Sequence, residues 1–168
     1  MNFPAFEQAL KGFSRYASGQ DRLLVLIDYT KPSTEKRFYI LDLLQKKLLL
    51  STYVAHGRGS GDNYAVAFSN RPGSYQSSLG FFRTGDTYMG KNGYSLFLDG
   101  LEKGINDKAR ERAIVVHGAN YADPAVLKGQ QRLGRSLGCP ALPPDISKQV
   151  IDTIKGGVLL YIYGLNKA

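Results

Sequence analysis

Two residues in this chain carry nucleophilic chemistry and stand in settings that would bring them together. Cys139 is the only cysteine, and His117 is one of two histidines. His117 ends the apolar run Ile114-Val115-Val116 and is followed at once by Gly118. Cys139 sits in Arg135-Ser136-Leu137-Gly138-Cys139-Pro140, where small and turn-forming residues bring the backbone close to the sulfur and a proline closes the turn. A cysteine attacks as its thiolate, and its pKa of roughly 8.5 falls when an imidazolium or a ring of backbone N–H groups stabilises the anion. Gly138 lacks a Cβ and would let successive N–H groups face an oxyanion forming on an acyl carbon. A structural cysteine and a satisfied core histidine are the plain alternative for residues that stand alone. The glycine-flanked pair favours the chemical reading, with a presented thiol.

Other candidates are weaker singly. His56 opens the glycine-rich segment from His56 to Tyr64 (HGRGSGDNY), which suits a loop lying against a ligand. It is equally readable as a substrate contact or an ordinary loop histidine. The glycine spacing fits neither a P-loop nor a dinucleotide fingerprint. One cysteine and two histidines offer too few ligands for a metal site, so neither metal nor cofactor is expected. Tyr88 and Tyr94 either face a substrate or pack in a sheet. Arg132 and Arg135 flank the cysteine motif, with Lys128 and Lys148 nearby, and would suit a substrate bearing carboxylates.

The elements that must position these residues are short. Phe3, Phe6, Leu10, Phe13 and Ala17 recur at helical spacing, so residues 3–18 are predicted to form an amphipathic helix docked on its own domain. Residues 22–29, 37–44 and 48–55 read as strands joined by tight turns, an antiparallel meander. Residues 77–84 read as another strand and its entry, followed by an Asn92-Gly93 hairpin turn and a strand over 94–98. Residues 106–112 (NDKARER) are expected to be a short charged helix or turn with a solvated face. After the strand at 114–117 come a short helix near 123–127, an amphipathic helix over 145–155 stopped by Gly156-Gly157, and a buried strand over 158–163.

Composition narrows the class. A chain of 168 residues with 43% hydrophobic content fits one domain with a real core. The formal charge of +8 predicts attraction to polyanions without saying which: a carboxylate-bearing wall polymer, an anionic lipid surface or a nucleic acid. No apolar run is long enough to span a membrane. The opening MNFPAFEQALKGFSRY lacks the charged start and apolar core of a signal peptide, so the literal reading is cytoplasmic. A lone thiol has no internal partner to be trapped with in an oxidising envelope, which suits a catalytic cysteine there.

The His-Gly strand end followed by Ser136-x-Gly138-Cys139 resembles the L,D-transpeptidases of peptidoglycan cross-linking, in the branch labelled murein L,D-transpeptidase catalytic domain, a distant relative of the YkuD-type domains. The likeness continues through AHGRGSGDNYAVAFSN (Ala55 to Asn70), SSLGFF (Ser77 to Phe82), GKNGYSLFLDGLEKGIN (Gly90 to Asn106) and HGANY (His117 to Tyr121). The resemblance implies a mainly β fold with flanking helices (α+β by count), a β-sandwich or barrel forming one catalytic domain over 1–168, with the helix in 1–20 packed on it. It implies Cys139 as acyl-forming nucleophile, His117 as its base, and the Gly118 carbonyl as the group that orients the ring. Ser136 matches the family's serine before the cysteine, and the N–H groups of Gly138 and Cys139 would line an oxyanion hole. Tyr121, Tyr88, His56, Arg132 and Arg135 fall on the substrate side.

The partners implied are donor and acceptor peptidoglycan stem peptides, with no nucleic acid and no transmembrane segment, for a monomer acting in the periplasm or cell envelope after loss of an export leader. Carbapenem acylation of the cysteine is implied as well. Leu137 and Ala141 depart from the better-known domains, which carry a histidine and an Arg or Asn at those places, so the cross-link type does not carry over. Hydrolysis by the same thioester, as an L,D-carboxypeptidase or other cysteine amidase, is an alternative. So is a basic wall-polymer-binding module without catalysis, whose binding would survive loss of Cys139. Papain-like hydrolases place the cysteine before the histidine, the reverse of the order here.

Overall fold

The computed structural model describes residues 1–167. The predicted helix is α1, Phe3–Tyr16, and the meander is β1 (Leu23–Asp28), β2 (Phe38–Asp42) and β3 (Lys47–Thr52). Then come β4 (Gly80–Gly90), β5 (Gly93–Gly100), β6 (Val115–Gly118), β7 (Ala141–Leu142), α2 (Pro144–Ile154) and β8 (Leu159–Tyr163). All eight strands form one sheet in the order β3-β2-β1-β8-β4-β5-β6-β7. The meander is antiparallel as expected. The last strand inserts between β1, which it meets in parallel, and β4, which it meets antiparallel.

The two edges of this sheet nearly meet. Just past β3, Ala55 bridges Ala141 of β7 through Ala55 N to Ala141 O at 2.8 Å and the reciprocal bond at 3.3 Å. The result is a nearly closed barrel, which leaves little edge open to stray pairing.

Alternation along the central strands produces two apolar layers. Val25 and Ile27 of β1, Leu160 and Ile162 of β8, and Val116 of β6 join Val150, Ile151 and Ile154 of α2 in one core. Leu24, Leu26 and Leu159 point the other way, onto Ala5 and Ala9 of α1. Gly12 permits this docking: a Cβ there would fall 1.7 Å from the Phe81 ring.

Residues 106–112 form turns, one of the two forms expected of them, with Asp107, Lys108, Arg110 and Glu111 exposed. Asn106 is buried among them, donating from Nδ2 to Leu79 O and Phe81 O at 2.9 Å each and accepting from Glu102 N at 2.9 Å. The hairpin register pairs Gly90 with Gly93, so Lys91 and Asn92 are its central residues. Gly156 and Gly157 end α2 with φ of 80° and 110°, as their type allows.

Candidate active site

β6 and β7 run parallel, with His117 opposite Ala141. Two residues back on both segments, Val115 stands beside Cys139, and Val115 N donates to the sulfur at 3.4 Å. Residues two apart on a strand share a face, so His117 follows on the same face of β6 as Val115, the residue whose N–H meets the sulfur. No hydrogen bond joins them among the described residues. His117 is 3% exposed, and its Nδ1 lies 2.9 Å from Gly118 O. A carbonyl only accepts, so Nδ1 carries the proton and Nε2 carries the lone pair. Burial pushes the imidazole below its ordinary 6.5, against the pull of the Gly118 carbonyl.

The thiol is less presented than its sequence setting implies. Cys139 is 9% exposed, and the S–H donates to Ala113 O at 3.4 Å. Burial raises its pKa above the ordinary value, while the Val115 N–H, Arg112 and Lys91 act to lower it. The resting pair is therefore a neutral thiol and a neutral imidazole, not the thiolate and imidazolium that the motif suggests.

A chain of buried polar contacts fixes the cysteine loop. Arg37 is wholly buried and donates to Val54 O from Nε at 3.0 Å and Nη2 at 2.7 Å, to Lys31 O at 3.0 Å, and to His56 Nδ1 at 2.8 Å. A guanidinium has no acceptor, so His56 Nδ1 is unprotonated and Nε2 donates to Gly61 O at 3.1 Å. Burial, reinforced by Arg37, pushes the His56 imidazole down to about 4. His56 O in turn accepts from Ser136 N at 2.9 Å. The Ser136 hydroxyl donates to Cys139 O at 2.6 Å and accepts from Gly138 N at 3.1 Å. Gly138 has φ of 130°, and a Cβ there would lie 2.9 Å from Ile114 Cδ1, so both conformation and space require glycine.

These contacts revise several sequence assignments. Gly138 N–H is held by Ser136 and is not free for an oxyanion, whereas Cys139 N–H has no acceptor among the described residues. His56 lies behind the loop, not against a substrate. Arg135 Nη1 reaches Asp62 Oδ1 at 3.1 Å and Arg132 Nε approaches the same oxygen at 3.7 Å, so both arginines brace the glycine-rich loop. Tyr88 stacks on Phe97 with ring centroids 4.4 Å apart, which directs it to packing.

A cleft of about 460 Å³ adjoins His117, lined by Lys91, Tyr94, His117, Gly118, Asn120 and Tyr121 among others. Lys91 is the only formally charged side chain among those lining residues. Cys139 is not among the lining residues. Tyr121 lines this cleft, its phenol pushed up to about 12 by burial. Among the described residues no cluster of His, Cys, Asp or Glu could hold a metal, and no helix is long and apolar enough to cross a membrane.

Sequence reasoning missed Arg112. Its guanidinium lies against the cysteine loop: a Cβ on Gly138 would sit 3.4 Å from Arg112 Nη2. No motif marks it, because every acceptor it holds lies at least 34 positions earlier in the chain.

Comparison with known proteins places this arrangement. Residues 1–163 match the family described as L,D-transpeptidase catalytic domain (YkuD_2). No curated protein matches the sequence. Among solved structures, an L,D-transpeptidase from Mycobacterium smegmatis is similar with a TM-score of 0.51 at 13% identity, covering 85% of this chain and 59% of that one. The helical cell shape determining protein Pgp2 from Campylobacter jejuni gives 0.57 at 17% identity, with 88% and 50% covered. The L,D-transpeptidase LdtMt1, solved in complex with imipenem, gives 0.50 at 14% identity, with 85% and 59% covered. At these identities the likeness is one of fold, and the chain spans half to three fifths of the length of these relatives.

Proposed function

Because this chain belongs to the L,D-transpeptidase catalytic domain family, we propose that it is a peptidoglycan L,D-transpeptidase working through a thioester on Cys139. The observation that carries this reading is the His117 ring, locked by Gly118 O into the tautomer with a basic Nε2, two strand positions past Val115, whose N–H meets a lone buried thiol. Such a pair needs no metal and suits acyl transfer.

In the first half-reaction the S–H proton passes to His117 Nε2 as the S–C bond forms to an amide carbonyl carbon of the donor stem peptide. The free Cys139 N–H is the donor available to the oxyanion. Collapse breaks the C–N bond, and the imidazolium returns its proton to the leaving amine. In the second half, the amine of another stem attacks the thioester, its proton passes through His117 to the departing sulfur, and a cross-link remains. Water in place of that amine gives hydrolysis from the same thioester.

Lys91 in the cleft lining offers a cation to the carboxylates of stem peptides. The substrate places the enzyme's work in the cell envelope. Incubation with purified disaccharide-peptides, followed by mass spectrometry of products, tests the proposal. Cross-linked dimers support it, hydrolysed stems alone replace transfer by hydrolysis, and unchanged substrate with folded enzyme rejects both.

A further inference from the structure

Arg112 is half-buried and makes four hydrogen bonds, all to neutral oxygens. Nη1 donates to Ser69 O at 2.8 Å and Ser78 Oγ at 2.7 Å. Nη2 donates to Ser74 Oγ at 3.1 Å and Gln76 O at 2.8 Å. The side chain thus ties the 69–78 segment together at four points. That segment presses on the cysteine loop, since a Cβ on Gly138 would meet Gln76 O at 3.1 Å as well as Arg112.

No carboxylate among the described residues lies within ion-pair distance of Arg112. A partly desolvated cation without a counterion is costly, and such groups gather where an anion is to be formed. Cys139 is the one ionisable group whose charge acts on Arg112, and Arg112 in turn favours the Cys139 thiolate. The other ionisable groups acting on that sulfur are Lys91 on the β4–β5 hairpin and the phenols of Tyr29 and Tyr121. The phenols are neutral at physiological pH, Lys91 is exposed to solvent, and His117 rests uncharged.

We propose that Arg112 is a positioning residue for the nucleophile, whose guanidinium, lying beside the Gly138-Cys139 loop, supplies the positive charge that favours the Cys139 thiolate. The inference rests on the reading of Cys139 as the nucleophile, but its test reads sulfur ionisation alone. Failure to cross-link stem peptides would sink that reading without moving this measurement, and the reverse holds too.

The experiment follows the rate of Cys139 alkylation by iodoacetamide against pH in the wild-type chain, Arg112→Gln, Arg112→Lys, and a double variant Ser74→Ala with Ser78→Ala, each checked for its fold by circular dichroism. In Arg112→Gln the midpoint should move up by about one unit, which lowers the alkylation rate at pH 7 about tenfold. Arg112→Lys should keep most of the wild-type midpoint. The serine variant cuts two ties while keeping the cation, and its midpoint should stay put. An unmoved midpoint in folded Arg112→Gln overturns the proposal. Should that variant not fold, Arg112→Met, which keeps an unbranched side chain without the charge, is read in its place with the same two outcomes, while a rise of a unit in the serine variant would assign the effect to the ties and not to the charge and would overturn the proposal.

Discussion

His117 Nδ1 and Gly118 O lie 2.9 Å apart, a contact between neighbours in sequence that decides which ring nitrogen is basic. Burial favours the neutral ring, so His117 gains its proton below its ordinary 6.5. The base is thus in its working form at neutral pH, and the acid limb of kcat/KM should fall below pH 6.5. His117→Gln, which keeps a polar side chain of similar size, should cost kcat about 10² to 10⁴-fold with little change in melting temperature. A pH-rate profile of both proteins checks this, and an acid limb centred above 6.5 would contradict it.

Cys139→Ala should abolish transfer while leaving the barrel intact. The sulfur's only hydrogen bonds are two long ones, to Val115 N and Ala113 O, so the stability loss should be about 1 kcal/mol. Parallel assays of activity and thermal unfolding separate the two effects.

A carbapenem should acylate the same atom. Exposure to imipenem followed by intact-mass measurement should show one adduct in the wild-type chain and none in Cys139→Ala. Leu137 and Ala141 stand where the better-known domains carry a histidine and an Arg or Asn, so a slower adduct than in those domains is the expected outcome.

His56 links acid stability to the loop that holds the sulfur. Its folded value of about 4 lies below the ordinary 6.5, so the unfolded chain binds the extra proton between those values. The stabilisation is complete above pH 6.5 and is lost as pH falls toward 4, by about 3 kcal/mol. His56→Gln, which can still accept from Arg37 and donate to Gly61 O, should flatten that limb in denaturant titrations. An unchanged slope between pH 4 and 6.5 would contradict the assignment.

Gly138→Ala places a Cβ at a φ of 130° and 2.9 Å from Ile114 Cδ1. It should lower stability by about 1 to 3 kcal/mol and reduce activity more than thermal unfolding alone explains, because the loop that fixes Cys139 must shift.

What the sequence disclosed follows the range of the interactions involved. The β1 to β3 meander and both helices were legible because hydrophobic period and turn residues are local signals. The insertion of β8 between β1 and β4 was not, since strand pairing across the chain leaves no local trace. Asp107, Lys108, Arg110 and Glu111 are exposed as their charge suggests, but the burial of Asn106 beside them was not legible, because it depends on distant partners, Leu79 and Phe81. His117, Gly118 and Cys139 stood out through glycine-flanked spacing. Arg37, which sets the tautomer of His56 from 19 positions away, and Arg112 did not.

A thioester on Cys139 must form during turnover. Acid quenching of the enzyme during turnover of a disaccharide-peptide, then peptide mapping by mass spectrometry, reads that species directly. The acyl mass should appear on the fragment containing Cys139 and be lost on treatment with hydroxylamine. Product accumulating with no label on that fragment, or product formed by Cys139→Ala, would contradict it.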